Sequence, residues 1–536
     1  MKWLARSCLN TKYCLLLLGN FLARLAVGLF LVDSVGCREP SATSTGTELE
    51  ANVDYSDAAD KCVQTDRPNI LLIFSDDHTS QAISAYGSTI TQTPNIDRLA
   101  SQGVLFTNAM VENSICAPSR AAVLTGKFSH VNGMTLNGNE FDASQPTFPQ
   151  ILQQAGYQTA LIGKWHLSSE PAGFDHWNIL DGQGTYYNPV MISPGVVVQH
   201  LGYVTDIISE QAIDWLEQTR DPTRPFLLMI QHKATHRDWQ PPLQYLNLYE
   251  DQTIPEPPTL FDDYSGRTRA AANQRMTIAN DLDEWDLKLK PPDGLALNQA
   301  LIWDAVYTPK NEASRALNLT GDELIRWKYQ RYIKDYLRTA TALDDAVGRV
   351  LDYLDRSCLA ENTVVIYSAD QGFFLGEHGW FDKRWIYEQS LHTPLIVRWP
   401  SVTRPGSVND DLVQNIDFAE TFLEIASIDI PCEMQGRSLV PLLRGETPED
   451  WRTAVYYHYY EYPDAHQVEP HYGIRTKRYK LIHFYRAEVD EWEMYDLKND
   501  PEELCSVYDD VSYETARAEL ETELEALREQ YQVQAP

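Results

Sequence analysis

The chain has few basic residues for its size: 44 lysines and arginines stand against 76 aspartates and glutamates, a net charge of −32 over 536 residues. Proteins that bind duplex nucleic acid need a basic surface to neutralise phosphates, so this balance argues against nucleic acid as a partner. It would also repel a polyanionic substrate, unless a local group of cations overrides the global field. Any anionic substrate therefore requires a local cationic pocket.

Cysteines at metal-binding or redox spacing are also missing. Of the eight cysteines, two lie in the N-terminal apolar segment and Cys37 lies at its end, and none of the others forms a C-x-x-C pair. We therefore predict no disulfide framework and, by default, a buried small apolar side chain at each remaining position. These positions are Cys62, Cys116, Cys358, Cys432 and Cys505.

The N-terminal apolar stretch is too broken for a permanent membrane span, because Arg24 interrupts residues 13–32. Its length and basic flank predict an export signal over residues 1–37. The Gly-Cys pair ending at Cys37 resembles a bacterial lipoprotein processing site, so a lipid anchor at Cys37 and plain cleavage both remain open. Residues 38–66 are expected to form a flexible tether. We expect an exported protein: periplasmic, a cell-surface lipoprotein or secreted.

Four short aliphatic runs follow Pro68, and each ends in polar side chains. Their alternation with amphipathic segments predicts an α/β fold, a sheet flanked by helices. Because ligand sites in such folds lie outside the carboxyl ends of the strands, we expect the four polar clusters to converge on one crevice. The runs are 69–75 before Asp76-Asp77, 159–163 before Lys164-Trp165-His166, 226–231 before the segment His232 to His236, and 363–369 before Asp370-Gln371.

The rest of the chain divides into segments that differ in composition and in the spacing of their apolar residues. A polar, proline-rich stretch at 240–325 is predicted to be an insertion. Apolar residues three and four apart over 333–354 predict a helix that packs one face on the sheet. Alternating aromatic segments predict a smaller C-terminal antiparallel-sheet subdomain at 446–536. The catalytic α/β domain would then span 67–445.

The segment from Cys116 to Arg120, Cys-Ala-Pro-Ser-Arg, begins a helix-compatible run that ends in Thr125-Gly126. A helix N-terminus favours a bound anion, so Cys116 is interpreted either as an activated thiolate or as a buried structural cysteine. The motif resembles the signature of type I sulfatases, in which this cysteine is oxidised to formylglycine. The resemblance continues to about Glu503, through residues 76–77, 163–167, 236, 370–379, 381–383, 475–482 and 495–501.

This resemblance implies an alkaline-phosphatase-like fold and hydrolysis of sulfate esters. Residues 262–267 and 370–383 are most similar to carbohydrate sulfatases of the glucosamine-6-sulfatase-like and marine polysaccharide types, so a sulfated polysaccharide or oligosaccharide is the expected substrate. The resemblance also implies one Ca²⁺ ion, which prefers hard oxygen ligands. The implied ligands are Asp76, Asp77, Cys116 as formylglycine, Asp370 and Gln371.

The family resemblance also assigns catalytic roles. Arg120 and calcium would hold the formylglycine hydrate, while His166 would assist proton removal as sulfate leaves. Lys164, Lys383 and His236 would contact the sulfate and the bridging oxygen, with His236 as acid for the leaving alcohol. Loop packing remains an alternative for the two tryptophans among the expected sugar contacts. Those contacts are Trp239, His378 and Trp380.

Three functions remain open on this evidence. The first is a sulfatase of glycan degradation that depends on a formylglycine-generating maturation enzyme. The second is a phosphomonoester or phosphonate hydrolase, because the same fold serves that reaction with a similar metal and basic pocket. The third is an inactive homologue that binds sulfated glycan, which requires that Cys116 is never converted. The motif at Cys116 favours the sulfatase.

Overall fold

A ten-stranded mixed sheet forms the centre of the computed structural model, which describes residues 65–534. The large sheet predicted from the four aliphatic runs is therefore confirmed. In spatial order its strands are β13 (Ser407–Asn409), β2 (Val104–Phe106), β12 (Leu395–Arg398), β9 (Thr363–Ala369), β1 (Asn69–Ser75), β8 (Phe226–Gln231), β4 (Gln158–Gly163), β5 (His176–Leu180), β6 (Val190–Ser193) and β7 (Val196–Gln199).

The four aliphatic runs form four parallel strands that lie side by side in the order β9, β1, β8 and β4. The parallel strand β5 lies next to β4. Ile70 of β1 is in register with Leu227 of β8 and Val364 of β9. All seven residues of β1 are buried, as expected for a strand covered on both faces. The carboxyl ends of these strands consequently open on one edge of the sheet.

Helices cover both faces of the sheet. Ile70 and Leu72 belong to one apolar cluster, which contains residues of α2, α4 and α10, and Leu71 belongs to another, with residues of α1, α5 and α8. No helix in residues 65–534 combines the length and apolarity needed to cross a membrane. The helices are α1 (Pro94–Gln102), α2 (Cys116–Thr125), α3 (Ser129–Asn132), α4 (Phe148–Gln154), α5 (Val204–Asp214), α6 (Arg269–Asn273), α7 (Leu297–Ala316), α8 (Gly321–Arg356), α9 (Glu388–Leu391), α10 (Asp417–Ile425), α11 (Val440–Leu443) and α12 (Glu514–Gln530).

A separate antiparallel sheet of four strands lies near the C-terminus, as the aromatic segments predict. Leu520 and Leu524 of α12 join an apolar cluster with its residues. The described residues also form two short two-stranded sheets: β3 (Ala109–Met110) pairs with β14 (Val413–Gln414), and β10 (Phe374–Leu375) pairs with β11 (Phe381–Asp382). The C-terminal sheet is formed by β15 (Ala454–Tyr459), β16 (His471–Thr476), β17 (Tyr479–Phe484) and β18 (Glu491–Asp496).

The cysteines depart from the sequence prediction. Cys116 is buried as expected, but Cys432 and Cys505 are exposed, and Cys358 is disulfide-bonded. The prediction was wrong for these three because spacing along the chain does not reveal surface position or spatial proximity. The predicted export signal, Cys37, Cys62 and residues 38–64 of the tether lie outside the described residues. The predicted boundary near residue 445 stays a prediction.

Candidate active site

Four oxygen-bearing side chains lie where the neighbouring strands β1 and β9 end. Asp76 and Asp77 follow β1, and Asp370 and Gln371 follow β9. The Asp370 amide donates to the Ser75 carbonyl at 3.2 Å, which sets the two strand ends side by side. All four side chains are buried, and carboxylate oxygens of the three aspartates lie within 4.8 Å of one another. The structure thus brings together the predicted protein ligands of a metal.

The three buried carboxylates repel one another, and burial makes their ionised forms costly. Burial, reinforced by the charge of Asp76, raises the pKa of Asp370 to about 7. Burial also raises the pKa of Asp77, whereas the pKa of Asp76 lies well below its ordinary value because Lys164 and other cations outweigh burial. Gln371 Nε2 donates to Asp77 Oδ1 at 2.5 Å, and Gln371 Oε1 is buried without a hydrogen-bond partner. The carboxylate oxygens fit a hard divalent cation, which would neutralise the aspartates, and rotation of the Gln371 amide by 180° would turn its unpaired oxygen toward the cation.

Cys116 is the first residue of α2, and its side chain is buried beside the aspartates. Its Sγ lies 3.6 Å from Asp76 Oδ1 and 3.7 Å from Gln371 Nε2. Burial raises the pKa of the thiol to about 12. Burial therefore disfavours the thiolate of the unmodified side chain.

Arg120 and Lys164 supply positive charge at the same place. Arg120 lies one helical turn after Cys116 and donates from Nε and Nη2 to Asp370 Oδ2, at 3.1 and 2.9 Å. Its Nη1 donates to the Lys164 carbonyl at 3.2 Å. Lys164 follows β4 and forms a buried ion pair with Asp76. Buried cations that are paired and hydrogen-bonded in this way offset the charge of the aspartates.

Lys383 and His236 both face Asp77. Lys383 Nζ lies 2.7 Å from Asp77 Oδ2, and His236 Nε2 lies 4.0 Å from the same oxygen. His236 Nδ1 donates to the Arg237 carbonyl at 2.6 Å, because a carbonyl oxygen only accepts. The Nε2 lone pair is therefore free in the neutral ring. Burial lowers the pKa of His236 well below its ordinary value, which favours the neutral imidazole.

His166 lies two residues after Lys164, in the left-handed region with φ of 56°. Gln183 Nε2 donates to His166 Nε2 at 3.0 Å, and His166 Nδ1 is buried without a hydrogen-bond partner. Burial, followed by repulsion from Lys164, lowers the pKa of His166 to about 2. Among the described residues its hydrogen-bond partner is Gln183 and not Cys116.

The three residues expected to contact a sugar are instead buried in the core. Trp239, His378 and Trp380 are each 0% exposed. Trp239 packs edge-on against Tyr332, with ring centroids 4.6 Å apart, and Trp380 stacks on Trp385 at 4.9 Å. The prediction of direct sugar contact is corrected for all three, since their surfaces are covered by protein.

A pocket of about 260 Å³ borders His236 and was not predicted from the sequence. Lys233 lines it: its Nζ donates to the Gln183 carbonyl at 3.1 Å and lies over the Tyr186 ring at 5.1 Å from its centroid. Burial, with repulsion from Lys164, lowers the pKa of Lys233 to about 8. The position of Lys233 and residues 236–240 after β8 was a usable signal, whereas residues 183–186, Trp285 and Asp293 come from distant segments. The pocket is also lined by Arg237, Asp238, Gln240, Trp285 and Asp293.

Two family models match the chain. The model described as Sulfatase matches residues 68–428, and the model described as N-sulphoglucosamine sulphohydrolase, C-terminal, matches residues 376–530. An N-acetylglucosamine-6-O-sulfatase from Bacteroides thetaiotaomicron is 48% identical over 494 residues, which cover 88% of each chain. The N-acetylglucosamine-6-sulfatase of Homo sapiens is 28% identical and matches 74% of this chain and 68% of the human protein.

Solved structures give the same picture of the fold. A protein in complex with its substrate, D-glucosamine-2-N,6-O-disulfate, is 47% identical, with a TM-score of 0.86 over 88% of this chain and 99% of that one. A phosphonate monoester hydrolase of Agrobacterium radiobacter is 21% identical, with a TM-score of 0.65 over 87% of this chain and 96% of that one. The second likeness shows a shared fold alone.

Proposed function

This chain belongs to the sulfatase family, and from that premise we propose that it removes the 6-O-sulfate of N-substituted glucosamine in sulfated glycans. As a family member it is a sulfuric ester hydrolase. The observation that carries the substrate proposal is its 48% identity to an N-acetylglucosamine-6-O-sulfatase along 88% of both chains. The similar structure that holds a 6-O-sulfated glucosamine supports the same substrate class.

We propose that one Ca²⁺ ion binds between Asp76, Asp77, Asp370, Gln371 and residue 116. When bound, the ion would polarise the sulfate group and the modified residue 116. Gln371 supports this assignment because its amide contacts Asp77 and its oxygen has no other hydrogen-bond partner, so the amide can rotate to present that oxygen. Arg120 acts from outside the ligand set, because its two hydrogen bonds to Asp370 Oδ2 fix the orientation of that carboxylate.

We propose that a formylglycine-generating enzyme oxidises Cys116 before the protein is active. The hydrated aldehyde supplies one hydroxyl that attacks sulfur and a second whose deprotonation expels sulfate. The unmodified thiol is a poor nucleophile, because burial raises its pKa to about 12. Conversion is supported by the Cys-Ala-Pro-Ser-Arg segment at 116–120, which resembles the signature of type I sulfatases.

Lys164, Lys383 and His236 are proposed to bind the sulfate and serve the leaving group. The two ammonium groups neutralise charge that develops on the transferring sulfate. A bound sulfate also adds negative charge beside His236, which favours its protonated form and lets Nε2 donate to the departing alcohol. Lys164 is the alternative acid. His166 is proposed to take the proton when sulfate is released.

The sugar is proposed to occupy the pocket beside His236. Its volume of about 260 Å³ suits one sugar ring. Trp285 is 37% exposed at this pocket and offers an aromatic face, while Asp238 and Gln240 offer hydrogen-bonding groups. The protein is further proposed to act after export, as a periplasmic, secreted or lipid-anchored enzyme, on the basis of residues 1–37.

Two alternatives are separated from this proposal by experiment. A phosphate or phosphonate ester hydrolase shares the fold, so turnover of glucosamine 6-sulfate should be compared with that of glucosamine 6-phosphate. Preference for the phosphate would overturn the proposal. Peptide mass spectrometry around Cys116 addresses the inactive binder, because formylglycine is lighter than cysteine by the exchange of a thiol and hydrogen for a carbonyl oxygen.

A Cys116→Ala variant provides the decisive control for activity. It should fold with an unchanged circular dichroism spectrum and release no sulfate from N-acetylglucosamine 6-sulfate. Arg444→Gln, far along the chain and exposed, should retain full turnover. Sulfate release by Cys116→Ala at the parent rate would contradict the proposed nucleophile.

A further inference from the structure

A second pocket, of about 470 Å³, lies between α7 and α8 and has unusual charge for this chain. Four basic side chains line it against one acidic side chain, Glu250, although the whole chain carries a net charge of −32. The basic residues are Lys310, Arg331, Lys334 and Arg338. This cationic pocket is made by residues that the proposed reaction does not use.

Three of the cations hold the neighbouring turn. Lys310 Nζ donates to the Leu246 carbonyl at 3.0 Å, and Lys334 Nζ donates to the Glu250 carbonyl at 3.1 Å. Arg338 donates to the Leu248 carbonyl at 2.7 Å. Carboxylates also pair with two of them: Glu250 lies 2.6 Å from Lys310 and 2.9 Å from Arg338, and Asp335 lies 2.7 Å from Arg338. The positive charge without an ion pair in the described part of the chain is therefore that of Arg331 and Lys334.

Arg331 is the exception. It is 9% exposed, its Nη2 donates to Asn311 Oδ1 at 3.1 Å, and its Nη1 is buried without a hydrogen-bond partner. The guanidinium lies over the rings of Tyr307 and Trp327, 5.3 and 5.5 Å from their centroids. A buried charged donor without an acceptor is costly, and a small movement of the Arg331 side chain toward the pocket would let a bound anion accept from Nη1.

The lysines of the cationic pocket also feel the neighbouring arginines. Burial lowers the pKa of Lys310, and Arg338 acts in the same direction, while Glu250 and Asp335 oppose the shift. Burial also lowers the pKa of Lys334, with repulsion from Arg338 and Arg331, while Glu250 and Asp251 oppose it. An anion placed among these groups would relieve their repulsion, whereas a neutral ligand would not.

We propose that the cationic pocket is a second binding site, separate from the sulfate-cleaving centre, for the sulfate or carboxylate group of an anionic saccharide. Arginine presents planar donors that match both oxyanions. The volume suits a sugar unit, and Trp327 adds a ring at the wall. That the ligand is a saccharide rests on the proposed function, whereas the need for an anion rests on the charges alone.

The test uses full-length Cys116→Ala protein, which holds substrate without turnover. Isothermal titration with a disaccharide of 6-O-sulfated N-acetylglucosamine and an uronic acid should show two sites. Adding Arg331→Met should weaken one site at least about tenfold, as expected for loss of a charge-assisted hydrogen bond. The matched control is Arg326→Gln, which removes a charge from the same helix outside the pocket, where Arg326 pairs with Glu256. Equal binding by both variants would overturn the proposal.

Further variants and ligands in the same titration distinguish a folding failure from a binding loss and identify the bound anion. Lys334→Gln, at a partly exposed position, repeats the test should Arg331→Met fail to fold. Titration with the desulfated disaccharide identifies whether the carboxylate or the sulfate is bound, and retention of affinity assigns the carboxylate. Inorganic sulfate tests the anion requirement without a sugar. Failure of the parent enzyme to release sulfate from the monosaccharide would sink the proposed function but leave anion binding to the pocket measurable.

Discussion

At the scale of single residues, the three buried aspartates remain close neighbours, with carboxylate oxygens within 4.8 Å of one another, although each also pairs with a buried basic side chain. Burial and like charge raise the pKa of Asp370 to about 7, so part of the folding free energy should depend on metal. A ligand that binds the folded state at a hundred times its dissociation constant stabilises it by about 2.7 kcal/mol.

Metal removal is therefore expected to destabilise the protein. Chelation should lower the thermal midpoint, and added Ca²⁺ should restore it, while Asp370→Asn should respond less to Ca²⁺. Asp344→Asn is the matched control, because Asp344 is a buried carboxylate that caps α1 through the Asn95 and Ile96 amides and should leave the calcium response intact. Differential scanning fluorimetry measures all three proteins. A midpoint indifferent to chelation would contradict the metal site.

Glu112 carries a pH dependence separate from the site. It is buried, accepts hydrogen bonds from Ser129 Oγ at 2.6 Å and Ser129 N at 3.3 Å, and burial raises its pKa to about 8. A carboxyl whose folded pKa is raised favours the fold while it is protonated. That contribution is complete below about pH 4.5 and is lost as the pH rises through about 8.

Glu112→Gln should remove this loss. Relative to the parent, its free energy of unfolding should rise by roughly 3–5 kcal/mol between pH 4.5 and 8. Denaturant titrations at several pH values provide the measurement. Glu140→Gln, at an exposed position, should show no such trend. A difference between Glu112→Gln and parent that is constant with pH would refute the account.

The acidic residues of the metal site could be predicted from the sequence, because metal binding requires their chemistry. The burial of the tryptophans could not. The sequence predicts Asp76, Asp77 and Asp370 together because acids after parallel strands must converge. Trp239 and Trp380 carry no such constraint: an aromatic residue after a strand serves equally as sugar platform or core, and which one depends on partners such as Tyr332 and Trp385 from distant segments.

At the scale of elements, part of the predicted insertion at 240–325 supports the His236 segment. Arg237 donates from Nε and Nη2 to the two carboxylate oxygens of Asp286, at 2.7 and 2.6 Å. Lys288 Nζ donates to the Asp238 carbonyl at 2.6 Å. Residues 283–288 therefore hold both residues that follow His236. The sequence predicts the insertion but not these contacts, because a proline-rich loop has no periodicity from which to place it.

Asp286→Asn should loosen this support and misplace His236. We expect kcat for N-acetylglucosamine 6-sulfate to fall about tenfold or more, since small displacements of a reacting group are costly in rate, with a smaller change in KM. Asp283→Asn is the matched control, because Asp283 is half-exposed and 3.5 Å from Arg237. Steady-state kinetics and a pH profile separate the cases. An unchanged kcat with only a lowered thermal midpoint would assign Asp286 a purely structural role.

At the scale of the whole molecule, the C-terminal sheet shares its core with the rest of the fold. One apolar cluster joins Trp239 and Phe381 to Ile482 and Phe484 of β17. Beside it, Lys480 is 0% exposed and its Nζ lies 2.6 Å from Glu503 and 2.8 Å from Glu388 of α9. The sequence predicts the small sheet from its alternation, yet a shared core is a property of packing that alternation does not encode.

Lys480→Met should consequently lower the free energy of unfolding of the C-terminal sheet and of the rest of the fold together, in one cooperative transition. Removing the ammonium leaves two carboxylates together in a buried place, a loss of about 3–5 kcal/mol. The penalty should shrink at low pH, because burial already raises the pKa of Glu503 to about 7 and protonation removes its charge. Calorimetry should show a single transition at lower temperature.

The matched control is Lys477→Met, because Lys477 is half-exposed and pairs with Asp410 at the surface; its effect should stay within about 0.5 kcal/mol. A second, separate transition in Lys480→Met, with the main transition unmoved, would show that the C-terminal sheet unfolds on its own. The shared apolar cluster argues against that outcome, since exposing Ile482 and Phe484 would also uncover Trp239 and Phe381, next to the segment that carries His236.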